Sequence, residues 1–126
     1  MYNFKQCTYE EFRQIVRQYS FGSCPWELID PEYIDGLEAV ESQDGEIVAL
    51  IYYDPCRNEN CELLIMQFEV RKDLRRMGYG SRIIQQFLSV HKTSVELLPF
   101  GYDAVCFWQS CGFEGDSFGL YYYPDE

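Results

Sequence analysis

The sequence predicts an α+β fold, with a single mixed, mostly antiparallel, twisted sheet that carries helices on both faces. The first observation behind this prediction is a run of three strand patterns between residues 37 and 70, joined by two short turns as in an antiparallel meander. The second is a glycine-containing loop, a helix pattern and a further strand pattern directly after the meander. A strand–helix–strand connection places its two strands in parallel, which makes the sheet mixed and the fold α+β.

The composition predicts one folded domain spanning residues 1–126. Hydrophobic residues make up 47% of the chain, enough for a single core. The formal net charge of −11 argues against a nucleic-acid partner, because neutralisation of phosphates dominates that kind of binding. No apolar run is long enough to span a membrane and the N-terminus lacks a signal-peptide pattern, so we expect a cytoplasmic protein with no membrane partner. The sequence is compatible with a monomer or a homodimer.

The N-terminal part predicts a strand over residues 4–7 and then a helix. Thr8-Tyr9-Glu10-Glu11 is a capping box, in which the Thr and Glu side chains bond each other's main-chain N–H groups. Apolar residues follow at helical spacing as far as Tyr19, and Gly22 is expected to end the helix. Residues 23–36, which contain two prolines, are predicted to form a loop with one helical turn.

The middle of the chain supplies the meander. Strands are predicted over residues 37–42, 46–53 and 61–70, with the tight turn Gln43-Asp44-Gly45 between the first two. A second turn covers residues 54–60. Cys56 and Cys61 are candidates for a disulfide across this turn under oxidation, although the absence of a secretory signal predicts reduced thiols.

The C-terminal part predicts a strand over 93–98, a helix from about residue 102 and a last strand over 119–123. Asp103 is expected to cap this helix, and Gly112 to stop it in a left-handed conformation with Phe113 packed back onto it. None of the six cysteines has C-x-x-C spacing and His91 is the only histidine, so no metal site is predicted. His91 follows a predicted helix end, where capping or solvent exposure is expected.

A basic segment lies between the third meander strand and the next helix. Five of the 10 Lys and Arg residues fall between Arg71 and Arg82, where only Asp73 opposes them. This segment includes Gly78 and Gly80 and leads into a helix start, a combination that favours anion binding by main-chain N–H groups. The alternative is a solvated turn with no ligand.

Two motifs in this order resemble those of GNAT-type N-acetyltransferases. Arg75-Arg76-Met77-Gly78-Tyr79-Gly80 resembles the acyl-CoA motif R-x-x-G-x-G of that family. The segment from Ala104 to Phe113 resembles the family's second motif, an A-x-x-F-aromatic-x-x-x-G-F pattern. The resemblance covers residues 61–113 most closely. It implies a GNAT-like acyl-CoA N-acyltransferase fold, with acetyl-CoA as co-substrate and no metal.

The resemblance also implies roles for individual residues. The main chain of Phe68, Glu69 and Val70 would bond the pantetheine arm where this strand splays from its parallel neighbour. The diphosphate would lie on the N–H groups of the segment Arg76-Met77-Gly78-Tyr79-Gly80-Ser81, with Arg75 and Arg76 supplying positive charge. Trp108 occupies a cofactor-side position at which relatives often have a tyrosine that protonates the leaving thiolate; an indole N–H cannot serve as that acid.

The candidates for a catalytic base are weak. Leu64 and Met66 stand where several relatives place a Glu or His, which leaves Glu62 as the nearest carboxylate and Glu69 as the second. The alternative for both is a solvated strand carboxylate, with water carrying the proton away.

The acceptor is constrained only by charge. Between Glu27 and Glu69 there are twelve acidic residues and one basic residue, Arg57, so a negative field would favour a small cationic amine or a basic peptide or protein amine. A solvated acidic surface is the alternative. The function predicted is N-acetylation of a primary amine by direct attack in a ternary complex; the competing prediction is a non-catalytic acyl-CoA-binding or sensing domain.

Overall fold

The computed structural model of the chain describes residues 1–21, 26, 36–55 and 62–124. Within these residues there are seven strands, three α-helices and a short 3-10 helix at Lys72–Leu74. The strands are β1 (Asn3–Gln6), β2 (Leu37–Glu41), β3 (Ile47–Pro55), β4 (Leu63–Val70), β5 (Val95–Leu97), β6 (Glu114–Asp116) and β7 (Gly119–Tyr122). The helices are α1 (Tyr9–Gln18), α2 (Tyr79–His91) and α3 (Tyr102–Ser110). None of the helices in the described part of the chain is long and apolar enough to cross a membrane.

The strands form one mixed sheet in the order β1-β2-β3-β4-β5-β7-β6, which confirms the predicted α+β class. The pairs β1–β2, β2–β3, β5–β7 and β6–β7 are antiparallel. β4 and β5 are parallel, as the helical connection between them predicted, and their register runs from Leu63 opposite Val95 to Ile65 opposite Leu97. β4 continues for five residues after this last pair, to Val70.

The chain divides into two compact units, of which the first comprises residues 1–52 and 67–80. Its core packs α1 against β2 and β3, and its fully buried members are Cys7, Phe12, Phe21, Trp26, Leu37, Ala39 and Leu50. The capping box at the start of α1 is formed as predicted, with Thr8 Oγ1 accepting from the Glu11 N–H at 3.2 Å and Glu11 Oε1 accepting from the Thr8 N–H at 3.1 Å. The helix ends at Gln18, and the predicted stop at Gly22 lies outside the described residues.

The second unit comprises residues 53–66 and 81–126. The apolar face of α2 is buried as its spacing predicted, with Ile83, Ile84 and Phe87 fully enclosed. His91 differs from expectation: it is the last residue of α2, and its ring packs 4.2 Å from that of Phe87 and 5.3 Å from that of Tyr53. It is half-buried rather than exposed, because the rings of Phe87 and Tyr53 lie beside the end of the helix.

The second unit also corrects the predicted start of α3. The residue before the helix is Gly101, at φ 86°, and no side chain caps it; Asp103 lies inside the first turn and makes no cap. The helix end is confirmed, since Gly112 has φ 99° and the Phe113 N–H donates to the Trp108 carbonyl at 3.1 Å. The short strand β6, which pairs with β7, was not predicted.

The cysteines of the described residues are all free thiols. Cys7 and Cys111 are buried, and burial raises the pKa of each thiol. Cys106 is exposed. Cys56 and Cys61, the candidates for a disulfide under oxidation, lie outside the described residues. Within the described residues, no cluster of three or more His, Cys, Asp or Glu side chains is arranged to hold a metal ion.

Candidate functional site

The candidate site is the turn that connects the end of β4 to the start of α2. The chain leaves β4 at Val70, makes the 3-10 helix and then passes through Arg76 at φ 65° and Gly78 at φ 83° before α2 begins at Tyr79. Left-handed backbone at a residue other than glycine is uncommon, and such residues cluster where a loop holds a ligand. The turn therefore carries two left-handed residues close together, a conformation that makes it the candidate site.

The turn presents main-chain donors and positive charge on an exposed surface. Arg76, Met77 and Gly78 are all exposed, so the described residues do not cover this turn. The first-turn N–H groups of α2 have no partner further back in the helix, and the helix dipole places partial positive charge at the same end. None of the described residues forms an ion pair with Arg76. The turn can therefore accept a diphosphate at the helix start.

Arg71 fixes the beginning of the turn through contacts with other residues of the first unit. Its Nε and Nη2 donate to the two oxygens of Asp73 at 2.7 and 2.8 Å, and its Nη1 donates to the Ile47 carbonyl at 3.2 Å. Its guanidinium also lies 5.0 Å from the ring centre of Tyr19. The hydrogen bonds with Asp73 raise the pKa of Arg71 and lower the pKa of Asp73. These contacts engage the Arg71 guanidinium in stabilising the turn.

The Arg75 guanidinium is held by hydrogen bonds to three protein acceptors, although 40% of the side chain is exposed. Its Nη2 donates to Glu69 Oε2 at 2.9 Å and to the Phe21 carbonyl, and its Nε donates to the Val70 carbonyl at 3.3 Å. Three of the five guanidinium N–H groups are thus engaged, and the Glu69 carboxylate offsets the positive charge. Arg75 and Arg76 are both exposed, but the charge of Arg75 is paired with Glu69, so Arg76 is the cation of the acyl-CoA motif that has no ion-pair partner among the described residues.

Glu69 is buried, unlike the solvated strand carboxylate that was the alternative for this position. Its side chain is 7% exposed, and its second oxygen, Oε1, accepts from Trp26 Nε1 at 2.9 Å. Sequence reasoning missed this partner because Trp26 lies 43 residues away in a stretch predicted as loop. The remaining signal in the sequence was a tryptophan in a segment without helix or strand periodicity.

Glu62, the other candidate base, is exposed and lies at the opposite end of β4. The Glu62 N–H donates to Ser94 Oγ at 3.0 Å, which fixes its main chain and leaves its carboxylate at the surface. Glu62 directly precedes the first residue of β4, whereas Glu69 is the last residue but one of that strand. Of the positions where relatives place a base, Leu64 is half-buried and Met66 is 47% exposed.

Trp108 is a core residue of the second unit. Its side chain is buried, and its ring lies 5.1 Å from that of Phe107 and 5.2 Å from that of Phe113. The phenol earlier on the same helix, Tyr102, is 80% exposed, and its neighbour Cys106 raises its pKa through a hydrogen bond. The raised pKa makes Tyr102 a weaker acid than an ordinary tyrosine.

The mixed sheet and the glycine-containing turn together define an acyl-CoA N-acyltransferase fold. The sequence model of the acetyltransferase (GNAT) family matches residues 1–113, and the chain therefore belongs to this family. The resemblance inferred from the two motifs is confirmed.

Solved structures with the same fold cover nearly the whole chain. A putative phosphinothricin N-acetyltransferase aligns with a TM-score of 0.70 at 15% identity, covering 100% of both chains. The Bacillus subtilis N-acetyltransferase YlbP, solved with coenzyme A, aligns with a TM-score of 0.65 at 16% identity, covering 99% of this chain and 98% of the other. AtaTR, solved with acetyl-CoA, aligns with a TM-score of 0.69 at 11% identity, covering 97% and 91%. At these identities the likeness establishes the fold alone. A sequence comparison with curated proteins finds no significant match.

Proposed function

We propose that the protein is an acetyl-CoA-dependent N-acetyltransferase that acts on a primary amine. The observation that carries this proposal is the exposed turn with left-handed Arg76 and Gly78 at the start of α2, in a chain of the GNAT family. The turn offers what a diphosphate requires, namely main-chain donors, a helix start and an exposed cation. Two neighbours of the same fold were solved with coenzyme A or acetyl-CoA, which supports the choice of co-substrate.

The binding roles fall on main-chain groups. The N–H groups from Arg76 to Ser81 hold the diphosphate, and the main chain of Phe68, Glu69 and Val70 bonds the pantetheine arm. Val70 contributes through its remaining main-chain groups, because its carbonyl already accepts from Arg75. The Arg76 guanidinium supplies charge from the solvent side.

The reaction is direct transfer in a ternary complex. The neutral amine attacks the thioester carbonyl carbon, a C–N bond forms, and the C–S bond breaks to release the thiolate of coenzyme A, while the nitrogen gives its second proton to solvent water as the amide forms. A main-chain N–H near Phe68–Val70 stabilises the oxyanion, a contribution of about 3 kcal/mol where such a donor has been removed from other enzymes. The step requires no metal ion, since positioning and hydrogen bonds supply the rate enhancement.

Proton transfer depends on solvent more than on a buried residue. The amine, with a pKa of about 10, must lose a proton before it attacks. Both carboxylate oxygens of Glu69 are engaged, which leaves Glu62 and relayed water as the routes for this proton. The thiol of coenzyme A, with a pKa of about 8.5, leaves without the acid that Trp108 cannot provide.

The acceptor is proposed to be cationic. The segment from Glu27 to Glu69 has twelve acidic residues against one basic residue. Part of this charge is offset, since Glu41 pairs with Lys5 at 3.4 Å and Glu46 lies 3.7 Å from Arg71. The excess nevertheless attracts a small cationic amine or a basic peptide amine and repels anionic acceptors.

A second candidate function is a non-catalytic acyl-CoA sensor. Two observations favour it: Trp108 is buried in the core where relatives have an acid, and Glu69 is held by Trp26 and Arg75. Thiol release from acetyl-CoA with a panel of polyamines, amino sugars and lysine peptides separates the two. The enzyme predicts amine-dependent release that saturates in both substrates. Binding of coenzyme A without release for any amine supports the sensor instead.

A further inference from the structure

The end of β4 carries a buried carboxylate with two different donors. Glu69 is 7% exposed and accepts one hydrogen bond on each oxygen, from Trp26 Nε1 and from Arg75 Nη2, both at 2.9 Å. A buried carboxylate is costly unless it is hydrogen-bonded and paired with a positive charge. Glu69 meets both conditions, so the surrounding residues fix its position.

Arg75 connects this carboxylate to two separate main-chain carbonyls. The guanidinium donates to the carbonyl of Phe21 and to the carbonyl of Val70, and it follows Val70 by five residues in the turn itself. The planar fork of an arginine holds several acceptors in one fixed geometry, which a lysine cannot do. Arg75 therefore sets where the chain lies immediately before the left-handed pair Arg76 and Gly78.

We propose that Glu69 is a positioning residue for acyl-CoA, acting through Arg75 on the turn that receives the diphosphate. This inference rests on the proposed function. The Arg75–Glu69 pair fixes the start of the turn relative to the end of β4, whose main chain receives the pantetheine arm. The two ends of the co-substrate site are thereby held at a constant separation before the ligand arrives, which lowers the ordering cost of binding.

The same contacts argue against Glu69 as the catalytic base. A base must reach the proton it removes within hydrogen-bond distance or through one water. Both oxygens of Glu69 already accept from protein donors, and the side chain presents almost no surface to an incoming amine. The carboxylate therefore holds the turn and takes no proton from the acceptor.

The test compares Glu69→Gln and Arg75→Lys with the unmodified protein, measuring the KM for acetyl-CoA, kcat across pH, and the Kd of coenzyme A by calorimetry. A glutamine has one acceptor oxygen, so its NH2 group must face either the indole or the guanidinium donor. A lysine keeps the charge and loses the fork. We expect both changes to raise the KM and Kd roughly tenfold, which is less than the ~100-fold that a misplacement of about 1 Å can cost. The kcat at saturating acetyl-CoA and the shape of its pH profile stay unchanged.

Two controls separate positioning from a general loss of stability. Trp26→Phe removes the indole donor and part of a fully buried ring but keeps the Arg75–Glu69 pair, so it lowers the Tm and leaves the KM for acetyl-CoA within about threefold. Glu41→Gln breaks the ion pair with Lys5 at the sheet edge and leaves the KM unchanged.

Three results would overturn the inference. If Glu69→Gln lowers kcat and removes the decrease of kcat at acidic pH, Glu69 is the catalytic base. If Trp26→Phe and Glu69→Gln raise the KM for acetyl-CoA equally, the rise is a consequence of lost stability and not of positioning. Unchanged Kd values in Glu69→Gln and Arg75→Lys, with coenzyme A still bound by the unmodified protein, would refute positioning while leaving the proposed function standing. If the unmodified protein fails to bind coenzyme A, the proposed function itself is wrong.

Discussion

Gly78→Glu is predicted to abolish most of the affinity for coenzyme A while the fold survives. The position has φ 83° and is exposed, so a side chain there projects from the turn and removes nothing from either core. The left-handed conformation costs a residue other than glycine about 1 kcal/mol or slightly more. Gly78→Gln is the matched control, because it carries the same strain and nearly the same volume without the charge.

The difference between the two variants measures the charge alone. A carboxylate at about 5 Å from one phosphate charge is repelled by ~0.8 kcal/mol in bulk water and by ~3 kcal/mol at the effective dielectric of a protein surface. The glutamate variant should therefore bind coenzyme A roughly 4- to 160-fold more weakly than the glutamine variant. The difference in affinity between the two variants should decrease as salt is added, because salt screens exposed charges.

The assay is calorimetric titration of coenzyme A at two salt concentrations, with circular dichroism to confirm that both variants are folded. Equal affinities for the glutamate and glutamine variants at low salt would refute the placement of the diphosphate at this turn. A difference in affinity that does not respond to salt would show that the effect is steric rather than electrostatic.

Further predictions concern residues away from the turn. The capping bonds with Thr8 lower the pKa of Glu11, so this carboxylate stabilises the fold at pH values above its unfolded pKa and loses that contribution as the pH falls through the lower folded pKa. Glu11→Gln should therefore reduce the loss of stability at acidic pH. An unchanged curve of stability against pH would contradict this prediction. Trp108→Phe should leave kcat within about twofold, because the indole is not the acid; a tenfold loss would show that it takes part in the reaction. His91→Ala should lower stability by about 0.5–1.5 kcal/mol in urea unfolding by removing the stack on Phe87, with no change in kcat; a change in kcat at constant stability would give His91 a functional role.

Features set by residues near each other in sequence could be predicted. The capping box of α1 needs only Thr8 and Glu11, and the turn between β2 and β3 needs Gly45, which has φ 85°. The motif around Gly78 identified the turn and the start of α2 in the same way. Each of these depends on contacts within one turn of chain, which sequence spacing encodes directly.

Features set by tertiary packing could not be predicted from the sequence. β6 is three exposed residues with no apolar alternation, and it is a strand only because β7 lies beside it. Asp103 has the right chemistry for a cap but lies two positions past Gly101, where the chain geometry sets the helix start. The burial of Glu69 depends on Trp26, which no spacing rule connects to it.

The most direct test of the central claim compares coenzyme A with pantetheine, which lacks the diphosphate and nucleotide, in calorimetric titrations of the unmodified protein. The turn between β4 and α2 is predicted to supply most of the affinity through the diphosphate, so coenzyme A should bind at least ~100-fold more tightly than pantetheine. Equal affinities for the two ligands, or no binding of coenzyme A, would contradict the account.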